Sequence, residues 1–231
     1  MKFFFAMLKK PSSVPDKIFL ALIMVVIGAG ASSASAECPA RKSLPQLEIS
    51  LGYAKPDYNN TLSVQTLKRL SKKKFGRLHP IGLTLTTLQH SADLRFQTIN
   101  NSQTGKTCTY LDRVRVRVSY VNTQVYIARK YKPGSCQFEA VLDHENTHVR
   151  IYNDSLSRAQ PNIRNLIRKS LNALKPVETS APEMARKKIQ FQLEKALSAS
   201  LKNMETTVSA AQKQIDTPSN YAKTEGKCRS W

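Results

Sequence analysis

From Phe138 to Leu156 the apolar residues Phe138, Val141, Leu142, Val149, Tyr152 and Leu156 recur at three- and four-residue steps, the pattern of a helix that buries one face. Set into that helix is His144-Glu145-Asn146-Thr147-His148. Helix residues four apart stand one above the other, so His144 and His148 aim two imidazoles at a single point on or beside the buried face. H-E-x-x-H in a helical setting is a zinc-site signature. Glu145, one residue round, is placed to reach a water in the open position of such an ion and to act as its general base. The chain holds only four histidines, and for so poor a composition a chance H-E-x-x-H arises on the order of once in a few hundred sequences.

The first 36 residues read as a secretory signal peptide. Lys2, Lys9, Lys10 and Lys17 precede the apolar run IFLALIMVVIG from Ile18 to Gly28, and Ala34-Ser35-Ala36 supplies small residues for cleavage after Ala36. Even the stretch from Ile18 to Ala31 is shorter than the ~20 residues of a spanning helix, so no transmembrane helix is expected once the signal is removed. The expectation is a secreted or periplasmic bacterial protein, with residues 37–231 as a single domain. All four cysteines, Cys38, Cys108, Cys136 and Cys228, lie in that exported part, in a compartment that permits disulfides. Of the three possible pairings, Cys108 with Cys136 and Cys38 with Cys228 is the one expected, a local bridge and a bridge between the ends. No Cys-x-x-Cys spacing is present, which argues against a cysteine zinc knuckle.

Charge is the unusual feature of composition. The 36 Lys and Arg outnumber the 16 Asp and Glu for a net +20, a balance that favours anionic partners and solubility without specifying a fold. For an exported chain these are an anionic envelope polymer, such as lipopolysaccharide or teichoic acid, or an acidic protein substrate. Specific nucleic-acid binding is not expected, because no clustered basic-aromatic motif occurs.

The middle of the chain is strand-rich. Leu47 to Tyr53, Ile81 to Leu85 and Leu94 to Ile99 alternate as strands do, and Thr61 to Lys74 reads as a short helix ending in Lys72-Lys73-Lys74 before Gly76. The clearest strand is Arg113 to Val121: Val114, Val116, Val118 and Tyr120 face one way and Arg113, Arg115, Arg117 and Ser119 the other. Asn122-Thr123 is read as a turn into a second strand from Gln124 to Arg129, giving a hairpin. The stretch from Gln124 to Tyr131 is then the edge that an extended substrate could join as an added strand.

The C-terminal half is helical. The H-E-x-x-H helix runs to about Ala159, Pro161 permits a bend or restart, and the pattern continues to Leu174 before Lys175-Pro176. A second helix from about Pro182 to Gln214 carries Met184, Ile189, Leu193, Leu197, Leu201, Met204, Val208 and Ala211, and the two arms form an antiparallel hairpin. Catalytic zinc takes three protein ligands, and no histidine follows His148. Asp154 lies about 240° round a continuing helix from His148. If the hairpin turns near residue 178, His144 is level with about residue 212. Asp216 is then one turn beyond that level and is the favoured third ligand, with Glu205 second; Asp216 beside Pro218 also suits a plain helix end. Glu178 and Glu183 fall at the far tip.

The helix His144, Glu145, His148 and Val149, the strand and turn before it, and the stretch Ile215-Asp216-Thr217-Pro218-Ser219-Asn220-Tyr221-Ala222 resemble a bacterial family of exported proteins described as predicted secreted zinc-dependent proteases. That family ends in a segment of the type Y-D-x-x-T-x-H-G; Asp216 matches its Asp, whereas Tyr221 stands at its His and Ala222 at its Gly. A partial resemblance to the aspzincins, whose third ligand is an Asp preceding a Tyr, covers the same residues. The resemblance spans about residues 110 to 225. It implies Zn2+ held by His144, His148 and Asp216, with Tyr221 as a donor to the oxyanion of a tetrahedral intermediate.

The expected fold class is therefore α+β: a small antiparallel sheet, a zincin-type active-site helix and a long C-terminal antiparallel helical hairpin. The expected function is an exported zinc metallopeptidase acting on a protein or peptide substrate, with Glu145 as general base. Two alternatives remain: an envelope protein that keeps zinc only as a structural staple, and a cationic module for an anionic polymer.

Overall fold

A computed structural model of the chain describes residues 38–53, 55–71 and 80–231. The expected signal segment, residues 1–36, and the expected Lys72-Lys73-Lys74 helix end lie outside them. In chain order the elements are β1 (Gln46–Tyr53), β2 (Asp57–Asn59), α1 (Val64–Ser71), β3 (Gly82–Asn100), β4 (Thr107–Ile127), α2 (Cys136–Ala173), β5 (Val177–Thr179), α3 (Pro182–Ile215) and α4 (Pro218–Glu225). The class is α+β as expected, a small sheet backed by a long helical hairpin.

The sheet is built around β4, and it is mixed rather than antiparallel. Along one side β3 pairs antiparallel from Gly82 opposite Ile127 to Asn100 opposite Thr107. Along the other side β1 and β2 pair parallel and β5 antiparallel. Alternation reports which face of a strand is buried and says nothing of the direction of its neighbour, which is why the parallel pairs were not legible. The hairpin that does exist joins β3 to β4 through the polar turn at residues 101–106, where Gly105 has φ +67°. The stretch from Gln124 to Tyr126 is flanked by β2 and β3 and is no edge. Among the described residues β3 forms one edge of the sheet, and β1, β2 and β5 form the other.

Asn122-Thr123 is a β-bulge, not a turn. Leu85 faces Gln124 and Thr87 faces Val121, so Thr86 alone opposes both Asn122 and Thr123. Asn122 takes φ 53°, a left-handed value that asparagine tolerates, and Thr86 Oγ1 bonds the Thr123 hydroxyl at 2.8 Å and the Val121 carbonyl at 3.3 Å. The inserted residue resets the phase of the strand. Before it the buried side chains are Val114, Val116, Val118 and Tyr120; after it they are Thr123, Val125 and Ile127. One strand thereby keeps a single buried face past a break in alternation that mimics a turn.

The buried face of β4 packs on the two long helices through Leu156, Ile163, Ile167 and Leu171 of α2 and Ile189, Leu193, Leu197, Leu201 and Val208 of α3. Helix α2 starts where Ser135 accepts from the Phe138 N–H and continues through Pro161 without interruption. A second cluster of Leu67, Ile127, Ala128, Tyr131 and Val141 sits under the first turns of α2. Opposite the core, the arginine row of β4 is solvated, with Arg115 paired to Glu48 at 2.8 Å. No helix among the described residues is long and apolar enough to cross a membrane.

Both disulfides differ from the expected pairing: Cys38 bonds Cys108, and Cys136 bonds Cys228. Spacing alone could not choose, because the choice depends on where the chain ends lie. The N-terminal stretch runs beside the start of β4, where Tyr110 donates to the Pro39 carbonyl. The C-terminal tail returns to the start of α2, where Lys227 meets Asp143 at 2.7 Å and Trp231 packs edge-on to Tyr131. With no free cysteine among the described residues, both pairs suit an oxidising compartment. Peptide mapping without reduction should return a peptide linked through 38–108 and another through 136–228; a 108–136 peptide would contradict this arrangement. Replacing Cys136 and Cys228 by serine should cost about 2–5 kcal/mol in denaturant unfolding.

Candidate metal centre

The two imidazoles come from consecutive turns of α2, and the groups facing them come from α3 in the same spacing. Gln212 and Asp216 are also four apart: Gln212 meets His148, and Asp216 meets both histidines. The arms are therefore matched one turn farther along than a hairpin tip at residue 178 predicts. Asp216 Oδ1 lies 3.5 Å from His144 Nε2 and 3.1 Å from His148 Nε2. The Glu145 carboxylate has an oxygen close by: His144, Glu145 and His148 each offer a ligand atom within 4.8 Å of the others.

Gln212 fixes the protonation geometry of His148. Its Nε2 donates to the His148 backbone carbonyl at 3.1 Å; a carbonyl only accepts, so this orients the amide. The amide oxygen then meets His148 Nδ1 in a short contact, and since that oxygen also only accepts, Nδ1 carries a proton. Nε2 is left facing Asp216. There it either donates as an imidazolium or, with a cation between the two, serves as a lone-pair ligand. Burial pulls the His148 pKa down, but the Asp216 hydrogen bond and the Glu145 charge outweigh it and raise the pKa above its ordinary value. Burial likewise pushes Asp216 up, yet hydrogen bonds from His144 and His148 hold its carboxyl well below the usual carboxylate range. For metal bonds of about 2.0–2.1 Å, tetrahedral ligands stand roughly 3.3–3.4 Å apart. The two Nε2 to Oδ1 separations bracket that value, so the donor set fits one cation.

Asp216 is also the C-cap of α3, with φ −87° and ψ 46°. Ending the helix and joining the site are one event here. Thr217 caps α4, its hydroxyl accepting from the Asn220 N–H at 3.3 Å with Pro218 next. The turn brings Tyr221 back so that its hydroxyl donates to Asp216 Oδ1 at 3.0 Å. Burial and the Asp216 charge push the Tyr221 phenol up, which keeps it a donor. The other acids weighed from sequence are elsewhere: Asp154 and Glu205 are exposed, Glu178 accepts from Thr104 Oγ1 at 2.6 Å, and Glu183 pairs with Arg186 at 2.8 Å.

Glu145 is 4% exposed and is covered by the start of β3. Thr84 Oγ1 donates to its carboxylate at 2.7 Å. Gly82 lies directly on the side chain; a Cβ there would stand 2.8 Å from Glu145 Cγ and Cδ, so this position requires glycine for close approach. Burial pushes the Glu145 carboxyl above its ordinary range, against the pull of His148 and of the Thr84 hydrogen bond. A cavity opens beside these groups, walled by Ile81, Leu83, Val141, Tyr152, Thr224 and Glu225. Gln212, Thr84 and Gly82 were not singled out in the sequence. Gln212 alone had a signal, its four-residue spacing from Asp216, which repeats that of the two histidines.

Comparison with family models, with curated proteins and with solved structures finds no match to this chain.

Gln212→Leu removes the group that sets the His148 ring and should weaken metal binding about 10–100-fold, read by competition with a calibrated chelator; unchanged affinity would show that Gln212 does not orient the ring. Gly82→Ala should destabilise by about 1–3 kcal/mol through overpacking against Glu145, measured by denaturant unfolding; unchanged stability would show that the Glu145 side chain gives way freely.

Proposed function

We propose that the chain is an exported zinc-dependent hydrolase, with peptide bonds as its substrate. The observation that supports this most directly is the convergence of His144, His148 and Asp216 beside a buried Glu145, at the wall of a cavity that is largely apolar. Two imidazoles and one carboxylate are a donor set that suits zinc and leaves a fourth position open. Zinc bound there supplies Lewis-acid activation of a water and of the substrate carbonyl.

The protein's own groups do the rest. Glu145 accepts the proton of the attacking water and returns it to the leaving amine. Burial pushes its carboxyl above the ordinary range, which makes it a stronger proton acceptor. Thr84 holds the carboxylate in place with one hydrogen bond and leaves its other oxygen free. Tyr221 steadies Asp216 by donating to it; serving the oxyanion, as the family resemblance implies, requires that hydroxyl to leave Asp216. The free edge of β3 replaces the stretch from Gln124 to Tyr131 as the edge that an extended chain would join, since its first residues line the cavity.

Elemental analysis of the chain from Glu37 onward should find one zinc per molecule, lost in His148→Ala and Asp216→Ala. Glu145→Gln should retain the zinc and lose hydrolysis of a generic unfolded protein substrate by about 100-fold or more. Zinc retained with turnover undiminished in Glu145→Gln would remove Glu145 from the reaction. Absence of zinc, even after its addition, would remove the metal.

A further inference from the structure

Helix α3 has two faces with different tasks. Its inner face, Ile189, Leu193, Leu197, Leu201, Met204 and Val208, is buried against β4 and α2. Its outer face carries Met184, Lys188, Phe191, Lys195 and Lys202, all exposed, at steps of three, four and seven residues that set them in one stripe. Phe191 is 71% exposed and Met184 64%, two of the most open large apolar side chains described. Lys187 stands beside them, also exposed. The acids nearby are turned aside or sit at the margin: Glu183 pairs with Arg186, Glu194 lies 4.0 Å from His90 of β3, and Glu205 follows one turn after Lys202.

We propose that this outer face of α3 docks the protein on an anionic lipid surface. A second copy of a chain with net charge +20 would meet the lysines with like charge. A soluble polyanion would satisfy the lysines and leave Phe191 and Met184 in water. A lipid surface accommodates both: the ammonium groups reach headgroup phosphates, while the lysine stems, the phenyl ring and the thioether enter the apolar boundary. Anionic leaflets attract juxtaposed lysines by about 1 kcal/mol each. The candidate metal centre is undisturbed by such docking, because Asp216 lies 25 residues along α3 from Phe191, about 37 Å at 1.5 Å per residue.

The test uses the chain from Glu37 onward, which contains every described element and omits the apolar run from Ile18 to Gly28. Its partition onto vesicles of phosphatidylcholine with one-third phosphatidylglycerol is measured by co-sedimentation beside pure phosphatidylcholine. Binding to the anionic vesicles alone, falling as salt rises, is expected. Phe191→Ser with Met184→Ser should lower the partition about tenfold or more, and Lys188→Glu with Lys195→Glu by a similar factor. Lys68→Glu with Arg117→Glu changes net charge equally away from α3 and should leave most of the binding intact. All of these side chains are exposed, so unchanged circular dichroism establishes that each variant folds. Three results overturn the proposal: no binding to anionic vesicles at low salt, full affinity in the Phe191 and Met184 double variant, or equal loss in the control pair. Either of the last two would mark the attraction as that of a generally basic surface.

Discussion

Two antiparallel helices can slide by a turn at small cost when apolar side chains alone join them; a pair of polar contacts between them removes that freedom. Gln212 grips His148 at both ring and backbone, and Asp216 meets both histidines. These groups are buried or nearly so, and a buried polar group without a partner costs on the order of 1–3 kcal/mol. A slip of one turn would therefore strand several of them at once. The apolar ladder from Ile163 to Leu171 and from Ile189 to Val208 supplies most of the attraction. The polar cross-link at the open end selects the register in which that attraction is realised.

The same end of the hairpin is braced from two further sides. From the sheet, the bulge at Asn122-Thr123 resets the phase of β4, and the strand paired to it, β3, begins on Glu145 with Gly82 and Thr84. From the C-terminus, α4 folds back on the end of α3, and the tail is tied to the start of α2 by a disulfide and the Lys227 to Asp143 ion pair. On the proposed reading this bracing is what a general base needs, since a carboxylate displaced by an ångström loses most of its advantage. Thr84 restrains Glu145 by a directional bond, and Gly82 permits the approach by lacking a side chain.

The charge of the molecule is distributed apart from this centre. The arginine row of β4 and the lysine stripe of α3 face solvent on different elements, whereas the donors that could hold a metal ion are largely enclosed. On the two proposed readings, attraction to an anionic surface and the contacts at the histidines act separately, because the first is long-ranged and screened by salt and the second are short-ranged and largely buried.

Local order was strongly legible in the sequence. The span of α3, the strand character of Arg113 to Val121, the polar turn after Asn100 and the H-E-x-x-H helix all follow from periodicity and turn chemistry within a window of a few residues. The α+β class follows from the succession of alternating and helical stretches. The position of Asp216, rather than Asp154 or Glu205, beside the histidines follows from helix geometry, because rise and rotation per residue are constants. What only the tertiary structure decided is whatever depends on which distant segments meet. The disulfide partners, the parallel pairing of β1 and β2 with β4, and the bulge read locally as a turn are of this kind, as are Gln212, Thr84 and Gly82 around the histidines. Alternation and spacing encode the environment of a residue, buried or exposed, but the identity of its neighbour is set by packing, and packing is a property of the whole chain.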